Sequence, residues 1–319
     1  MTADADAAAD RKAGAVCVFT PSPLCTVTVE CHADGEPEIH FHAGGQGFWV
    51  ARMITRLGAE AVLCAPLGGE SGAVLRTLIE LEGIAVRAVP SQGWNGGYVH
   101  DRRGGERRVV AETASPALTR HEVDDLYGAA LAAGLAAGVA VLAGPQNPAV
   151  LPAETYRRLA HDLGDNGVAV VADLSGEALR AIEGGVRFLK VSHSELIEAG
   201  YAESDERRRL IAGAERLQRS SGAANVLVSC ADQPALALLE GRLVEVQGPR
   251  FEALEHRGAG DSMTAGLAVG CARGLDSEAI LRLAAAAGAL NVTRHGLGSG
   301  ARQNIEEVAE RVEVREVAA

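Results

Sequence analysis

Short, mostly apolar runs alternate along the chain with segments in which apolar residues recur at helical spacing. Runs this continuous predict strands buried on both faces of a parallel sheet, because a half-exposed strand would alternate apolar and polar residues. The runs are Val16–Phe19, Ala61–Cys64, Val139–Ala143, Val168–Ala172, Phe188–Val191 and Val226–Ser229. Helices are predicted between them near residues 47–57, 70–82, 121–137, 152–164, 176–183, 194–199 and 205–220. Regular alternation of strand and helix indicates an α/β fold with a doubly wound, mostly parallel sheet.

Two pairs of segments break this rhythm and predict β-hairpins. Residues 26–30 and 38–42 alternate apolar and polar side chains on either side of Asp34-Gly35, and residues 97–100 and 106–111 flank a second glycine turn. Hairpins inserted into an α/β chain indicate a small β-sheet lid over the end of the main sheet. The predicted division is a flexible tail (1–14), an α/β core (15–25, 43–92 and 115–317) and a β lid (26–42 and 93–114).

Composition and charge exclude some of the classes of protein to which this chain could belong. The chain has 319 residues, of which 47% are hydrophobic, and its net charge of −12 argues against a nucleic-acid partner. Six cysteines without a Cys-x-x-Cys pair are typical of a protein in the reducing cytoplasm. Residues 127–144 carry no charge, but Gly138 divides them into a helix and a strand, so we expect no membrane span.

Three histidines fall in the first predicted hairpin. His40 and His42 would share one strand face with His32 nearby, which is compatible with a metal site. The alternative is that they are polar groups on the exposed face of a lid strand. No acidic or cysteine partner stands at a fixed spacing, so the second interpretation is favoured.

The sharpest local motif is Arg257-Gly-Ala-Gly-Asp-Ser-Met, which opens an apolar helix. The first N–H groups of a helix have no partner within it, and the helix dipole favours negative charge there. Glycines let a phosphate approach the backbone of Gly258–Gly260, and Asp261 could take a proton from an attacking hydroxyl. An ordinary helix cap at Asp261 is the alternative.

Two further motifs change the balance between these alternatives. Gly44-Gly45-Gln46-Gly47 opens a helix that contains Trp49, and Lys190-Val-Ser-His-Ser-Glu195 follows a buried strand. Lys190 is one of only two lysines in the chain. It falls at the carboxyl end of a strand, where open α/β sheets bind ligands.

In this order, the motifs resemble those of the ribokinase-like (PfkB) carbohydrate kinase family. Within it they are most similar to the branch of 1-phosphofructokinases and tagatose-6-phosphate kinases, over nearly all of residues 15–315. The resemblance implies an α/β core with a β lid, ATP as phosphoryl donor, Mg²⁺ as partner ion and a sugar hydroxyl as acceptor. It implies Asp261 as the catalytic base and Gly258, Ala259 and Gly260 as the anion hole.

The resemblance also assigns nucleotide and substrate positions. The position of Lys190 after a buried strand independently predicts that ATP binds at the carboxyl ends of the strands that precede Lys190 and Ser229, with Glu195 near enough to organise a metal through water. The nucleotide-side residues are Lys190, Ser192, Glu195, Ser229, Ala231, Gly258 and Gly260. The substrate-side residues are Ser22, Thr26, Gly44, Gly45, Gln46, Trp49, Asn95, Arg108 and Asp261.

Several of these positions depart from the pattern of the family. Thr26, Gln46 and Trp49 stand where relatives carry Asp, Lys and Asn, and Asn95 falls where they carry a phosphate-binding arginine. Without the two cations, we expect the pocket to select against fructose-6-phosphate and tagatose-6-phosphate, although Arg107 or Arg108 could restore some charge. On the nucleotide side, Ser192 replaces an Asn, and the loop at residues 230–234 has lost both of its glycines.

Two functions remain open from the sequence. The favoured one is an ATP-dependent kinase that phosphorylates a hydroxyl of a sugar or sugar-like small molecule. The alternative is a catalytically weak or inactive binding protein that descends from such a kinase. Lid hairpins of this kind can pair between subunits, so a homodimer through the lid is a further expectation.

Overall fold

The computed structural model describes residues 13–31, 35–105, 107–249, 251, 257–291 and 297–317. The predicted tail at 1–14 therefore lies almost wholly outside the described residues, as does His32. In chain order the strands are β1 (Ala13–Phe19), β2 (Leu24–Cys31), β3 (Pro37–Gly44), β4 (Ala59–Gly68), β5 (Ala85–Ser91), β6 (Gly97–Asp101), β7 (Arg108–Thr113), β8 (Val139–Ala143), β9 (Ala169–Asp173), β10 (Phe188–Ser192), β11 (Asn225–Cys230), β12 (Gln233–Leu239), β13 (Arg242–Gln247) and β14 (Glu313–Glu316).

The α-helices alternate with these strands over most of the chain. They are α1 (Gln46–Arg56), α2 (Gly69–Leu81), α3 (Arg120–Ala137), α4 (Glu154–Asp165), α5 (Gly176–Ala181), α6 (His193–Glu198), α7 (Arg207–Ser221), α8 (Ala259–Ala272), α9 (Ser277–Asn291) and α10 (Arg302–Ala309), with a short 3₁₀ helix at Pro148–Val150. One buried apolar cluster lies on each face of the main sheet, which is the layering of a doubly wound fold.

The main sheet confirms the predicted fold class. Its strand order within the described residues is β14-β13-β12-β11-β10-β9-β8-β1-β4-β5, and the run from β11 to β5 is parallel. All six predicted apolar runs are strands of this parallel part. Strands β12 to β14 add an antiparallel edge that the sequence analysis missed, as it missed β5. In β14 the residues are Glu-Val-Arg-Glu, so pairing with β13 rather than an apolar run makes it a strand.

The two predicted hairpins form one four-stranded sheet, in the order β3-β2-β6-β7. Each hairpin is antiparallel, and the two join through parallel pairing of β2 with β6, in which Thr26 lies opposite Tyr98. Strand β2 begins at Leu24, two residues before the predicted boundary of the lid. That residues 26–42 and 93–114 act as a lid stays a prediction.

The uncharged segment at 127–144 divides as predicted. Helix α3 ends at Ala137, Gly138 has a φ of 73°, and β8 follows at once. A left-handed glycine is a common helix end, because it turns the chain without a Cβ clash. No helix in the described part of the chain is long and apolar enough to cross a membrane.

Close packing fixes α8 on the sheet. A Cβ at Gly266 would lie 2.6 Å from the Cα of Ala284 in α9, and one at Gly270 would lie 2.8 Å from the Ile280 side chain. The two helix backbones can approach this closely because small residues face each other. Helix α8 is buried from Ser262 to Cys271 and contacts β1, β8, β9 and β10, so its first turn has a fixed position over the sheet.

Candidate active site

A cavity of about 930 Å³ lies between the small sheet and the core. Strands β2, β3 and β6 provide one wall, and the starts of α1 and α8 provide the opposite wall. Seven of the predicted site residues line it: Thr26, Gly44, Gly45, Gln46, Trp49, Gly258 and Asp261. The structure thus brings the early glycine motif and the late one to the same cavity.

Two helices begin at this cavity without a side-chain cap. The N-cap of α1 is Gly45, with a φ of 91°, and the N-cap of α8 is Gly258, with a φ of 73°. Both conformations favour glycine. Because no side chain caps the start of α8, the N–H groups of its first turn can serve an anionic ligand.

A buried ion pair lies directly beneath the first turn of α8. The Lys190 ammonium contacts both carboxylate oxygens of Asp173 at 3.1 Å, and the two side chains are only 6% and 1% exposed. The Thr264 hydroxyl, on α8, donates to the same carboxylate at 2.6 Å. A Cβ at Gly260 would lie 2.6 Å from the Lys190 nitrogen, so a larger residue here would displace the Lys190 ammonium. The pair therefore joins β9, β10 and α8 under the predicted anion hole.

The environment of Asp261 suits a proton acceptor near neutral pH. Burial, followed by the charges of Asp173 and Glu195, raises the pKa of Asp261 to about 7, and the Lys190 ammonium opposes this shift. Burial lowers the pKa of Lys190, but the surrounding carboxylates more than offset this, so that its net shift is upward. A base is most effective when its pKa lies near the working pH.

Four of the predicted nucleotide residues, Ser192, Glu195, Ser229 and Ala231, lie outside the cavity, at the carboxyl ends of β10 and β11. Ser192 caps α6, and its N–H and hydroxyl both donate to one oxygen of Glu195 at 2.7 Å. Glu195 therefore helps to hold the start of α6, and its charge also acts on Asp261. Only Ala231 and Asp232 connect β11 to β12, where Ala231 has a φ of 50°, and Pro234 belongs to β12.

A magnesium ion would have to rely on few protein ligands here. No group of three or more His, Cys, Asp or Glu side chains suited to a metal occurs among the described residues, and this includes the face that carries His40 and His42. Mg²⁺ in phosphoryl-transfer sites keeps several waters and uses one or two carboxylates with substrate phosphates. Glu195 and Asp261 fit that requirement.

Three predicted substrate residues do not reach the cavity. The Asn95 side chain accepts from the N–H of Gly68 at 3.0 Å and donates to the Pro66 carbonyl at 2.9 Å, so its amide ties the end of β4 in place. Ser22 is buried behind Gly45, where its carbonyl would lie 2.7 Å from a Cβ. Arg108 points to solvent beside Asp101, and its neighbour Arg107, which precedes β7, lines the cavity instead.

Gln46 and Trp49 line the cavity with different partners. The Gln46 side-chain oxygen accepts from the N–H of Gly144 at 2.7 Å, which ties the start of α1 to the end of β8. The Trp49 ring packs edge-on against Phe48, and the Arg52 guanidinium lies 5.8 Å from its ring centre. Trp49 is only partly buried, so its ring belongs both to the core and to the cavity wall.

The sequence analysis missed most of the positive charge of the site. Five arginines line the cavity against two acidic residues: Arg52, Arg102, Arg103, Arg107 and Arg257 against Glu30 and Asp261. Only Arg107 was considered from the sequence. It also missed Asp173, whose signal was an acidic residue at the end of an apolar strand, followed by Ser175-Gly176.

An α/β core with a small second β-sheet, and a cavity where an uncapped helix start carries a partly buried aspartate, are typical of ribokinase-like phosphotransferases. The sequence profile of the pfkB family carbohydrate kinases matches residues 25–304. The chain belongs to this family, and the predicted carbohydrate kinase is confirmed at that level.

Individual relatives agree with this assignment. The chain is 30% identical to ATP-dependent 6-phosphofructokinase isozyme 2 of Mycobacterium tuberculosis, over 85% of this chain and 80% of the relative. It is 27% identical to 1-phosphofructokinase of Bacillus subtilis, over 81% and 84%. The crystal structure of phosphofructokinase-2 from Escherichia coli in complex with potassium superposes with a TM-score of 0.82 at 24% identity, covering 93% of this chain and 99% of that one. The structural match supports the fold.

The buried pair generates a stability prediction. Lys190→Met leaves the Asp173 carboxylate buried without its cation, and we expect a loss of about 3–5 kcal/mol in the free energy of unfolding. The double variant Lys190→Met/Asp173→Leu removes both charges, so it should lose less. Urea unfolding at constant pH measures both variants. A single variant as stable as the double variant would contradict the role given to the pair.

Proposed function

We propose that this protein transfers the γ-phosphate of ATP to a hydroxyl of a sugar or sugar-like small molecule. The observation that carries the proposal is the placement of Asp261. Its carboxylate lies in the first turn of an uncapped helix, above a buried lysine, and it lines the cavity under the small sheet. A hydroxyl held at that point meets a base and an anion-binding backbone together.

The transfer breaks one bond to the γ-phosphorus and forms another. The acceptor oxygen attacks the γ-phosphorus in line, the bond to the β–γ bridging oxygen breaks with its electron pair, and ADP leaves. Asp261 accepts the hydroxyl proton. The N–H groups of Gly258, Ala259 and Gly260 stabilise the charge on the phosphoryl oxygens, and Lys190 adds positive charge from beneath.

We place the nucleotide beside α8, at the carboxyl ends of β10 and β11, where Ser192, Glu195, Ser229 and Ala231 lie. Ligands bind at this edge in open α/β sheets. Mg²⁺ held by Glu195 through water would neutralise phosphate charge. The names of the relatives support ATP as the donor, since the Mycobacterium tuberculosis protein is an ATP-dependent kinase.

On the acceptor side, Thr26, Gly44, Gly45, Gln46 and Trp49 are the proposed contacts. Thr26 offers one hydroxyl, and the Trp49 indole offers a flat apolar face with one N–H donor. Selection against fructose-6-phosphate and tagatose-6-phosphate stays part of the proposal, because Gln46 and Asn95 bring no charge to the acceptor site. The alternative of an inactive binding protein differs in one respect, because such a protein would bind both ligands without turnover.

A substitution of Asp261 tests the catalytic assignment. Asp261→Asn keeps the shape of the side chain but cannot accept a proton, so we expect turnover to fall by about 10²–10⁴-fold with ATP affinity within a few-fold. In the wild type, kcat/KM should rise as the pH passes through about 7, because the base must be ionised. Near-native activity of the variant would contradict the assignment.

Asp261→Asn should lower turnover, but we expect it to raise the stability of the folded protein. The pKa of Asp261 is about 7 in the folded protein, against 3.8 for an ordinary aspartate, so the folded state holds a proton that the unfolded state releases. The contribution of Asp261 to wild-type stability therefore falls as the pH rises from about 4 to 7. Asp261→Asn, which does not titrate, should be more stable than wild type at pH 8, and this advantage should disappear near pH 4.

We also propose that two chains associate through the outer faces of their small sheets. Ile39 and Phe41 are 60% and 58% exposed on β3, on the face opposite to His40 and His42. Strands β3 and β7 are open edges of this sheet. A second copy that covers this face would bury the Ile39 and Phe41 side chains and the neighbouring open strand edge.

Sedimentation tests the association. We expect the wild type to sediment as a dimer at micromolar concentration and Phe41→Glu to sediment as a monomer. Leu81→Glu, at a residue that is 78% exposed at the end of α2, is the matched control and should remain dimeric. A monomeric wild type would contradict the proposed association.

The cysteines favour a cytoplasmic location, which we include in the proposal. All six are unpaired, and four of them are buried. The Cys17 and Cys64 sulfurs lie 3.8 Å apart inside the core. Two thiols kept this close without a bond are typical of a reducing compartment.

A further inference from the structure

The side chain of Asn291, the last residue of α9, connects two segments that reach the active-site cavity. Its Nδ2 atom donates to the carbonyl of Arg257 at 2.7 Å, and its Oδ1 atom accepts from the N–H of Gly298 at 2.9 Å. A carbonyl can only accept and an N–H can only donate, so the orientation of the amide is fixed at both ends. Asn291 is fully buried and does not itself line the cavity.

The first of these segments is the turn at which α8 begins. Gly258 is the N-cap of α8, and no side chain caps this helix start. Because the N–H groups of the turn are left for an anion, the turn itself has to be held by other contacts. Asn291 supplies one of them: it binds the carbonyl of the residue before the N-cap, and its Nδ2 atom lies 3.3 Å from the position of a Cβ on Gly258. It therefore supports the turn and leaves the N–H groups of that turn available.

The second segment, residues 297–298, lies between the start of α8 and α1. A Cβ at Gly258 would lie 3.0 Å from the Leu297 side chain, and the Leu297 carbonyl accepts from the Arg52 guanidinium at 3.0 Å. Gly298 has a φ of 63°, and a Cβ there would lie 3.0 Å from the Trp49 carbonyl. Arg52 and Trp49 both belong to α1. The amide of Asn291 thus joins the turn of α8 to a segment that is packed on α1.

We propose that Asn291 is a positioning residue for phosphoryl transfer, which holds the first turn of α8 at a fixed distance from α1. Asp261 and the N–H groups of residues 258–260 would then stay aligned with an acceptor bound beside α1. This inference rests on the proposed kinase function and adds a residue that its steps do not mention. Alignment matters because a displacement of about 1 Å can lower the rate of a reaction about 10²-fold. Asn291 acts through the turn and touches neither substrate.

A second buried asparagine provides a matched control. Asn225 is 5% exposed, its Nδ2 atom donates to the carbonyl of Arg187 at 3.0 Å, and its Oδ1 atom accepts from the N–H of Glu240 at 3.0 Å. It begins β11, so it makes the same kind of bridge at the edge of the sheet opposite to the proposed site. Loss of either amide should lower stability, but only the loss of Asn291 should disturb the alignment.

Steady-state kinetics compares Asn291→Ala with Asn225→Ala, and urea unfolding shows whether each variant is folded. The acceptor is whichever of ribose, fructose and fructose-6-phosphate the wild type phosphorylates fastest. We expect Asn291→Ala to lower kcat by about 10²-fold, with the KM of the acceptor within about threefold. Asn225→Ala should keep kcat within about twofold although it is less stable. Asn291→Ser keeps a hydroxyl and leaves room for a bridging water, so it should recover part of kcat and provides the test if the alanine variant does not fold.

The pH profile gives a readout that a purely structural role would not move. Burial is the largest cause of the raised pKa of Asp261, which is about 7. A loosened turn would admit water to the carboxylate, so the midpoint of kcat/KM in Asn291→Ala should move to lower pH by about one unit. The midpoint in Asn225→Ala should stay near that of the wild type. An Asn291→Ala variant with unchanged kcat and midpoint, or the same changes in Asn225→Ala, would overturn the inference.

Nucleotide binding separates this inference from the kinase assignment. Calorimetry with ATP and with ADP, each with Mg²⁺, measures how much the terminal phosphate adds to affinity. We expect the wild type to prefer ATP and Asn291→Ala to lose about tenfold of that preference, whereas Asn225→Ala keeps it. This loss in a protein without turnover would overturn the kinase assignment and support the role of Asn291. An unchanged preference in Asn291→Ala would overturn that role alone, and an inactive wild type without the preference would overturn both.

Discussion

The ammonium of Lys190 buried against the Asp173 carboxylate is the interaction on which the site depends. Removing two charges from water costs several kcal/mol per ion, and packed apolar side chains would often be more stable. Here the pair lies where β9, β10 and α8 meet, and Thr264 adds a hydrogen bond from the helix. Its geometry places a positive charge under Gly260 and fixes the turn that carries Asp261. The Lys190–Asp173 contact thus sets both the position of the turn that carries Asp261 and the positive charge beneath it.

The cavity combines two parts of the chain with different physical tasks. The core supplies two uncapped helix starts, which a phosphate can approach because glycines occupy the first positions. The small sheet supplies aromatic rings and arginines. Because the small sheet is separate from the turn that carries Asp261, a substitution in the small sheet can alter the cavity while Asp261 and its support stay the same. Of the departures from the family pattern, Thr26 lies on the small sheet, whereas Gln46 and Trp49 lie at the start of α1, on the same wall as Asp261.

The sequence predicted the features that depend on local pattern. Apolar runs predicted six of the seven parallel strands described, alternation predicted the hairpins, and the glycine motifs predicted both helix starts. It could not predict contacts that depend on pairing between distant segments. Strand β14 exists because β13 pairs with it, and Asn95 is withdrawn from the cavity by backbone groups of β4. Likewise Arg107, in the turn before β7, lines the cavity while Arg108 does not. The partner of Lys190 is 17 residues away in sequence, on the next strand.

A crystal structure with a non-hydrolysable ATP analogue and a bound acceptor tests the central claim most directly. The account predicts the terminal phosphate at the N–H groups of residues 258–260, and the acceptor hydroxyl about 2.6–3.2 Å from the Asp261 carboxylate. It also predicts that Lys190 stays on Asp173 beneath that turn. A terminal phosphate bound away from the start of α8, or an Asp261 carboxylate that faces no acceptor hydroxyl, would contradict it.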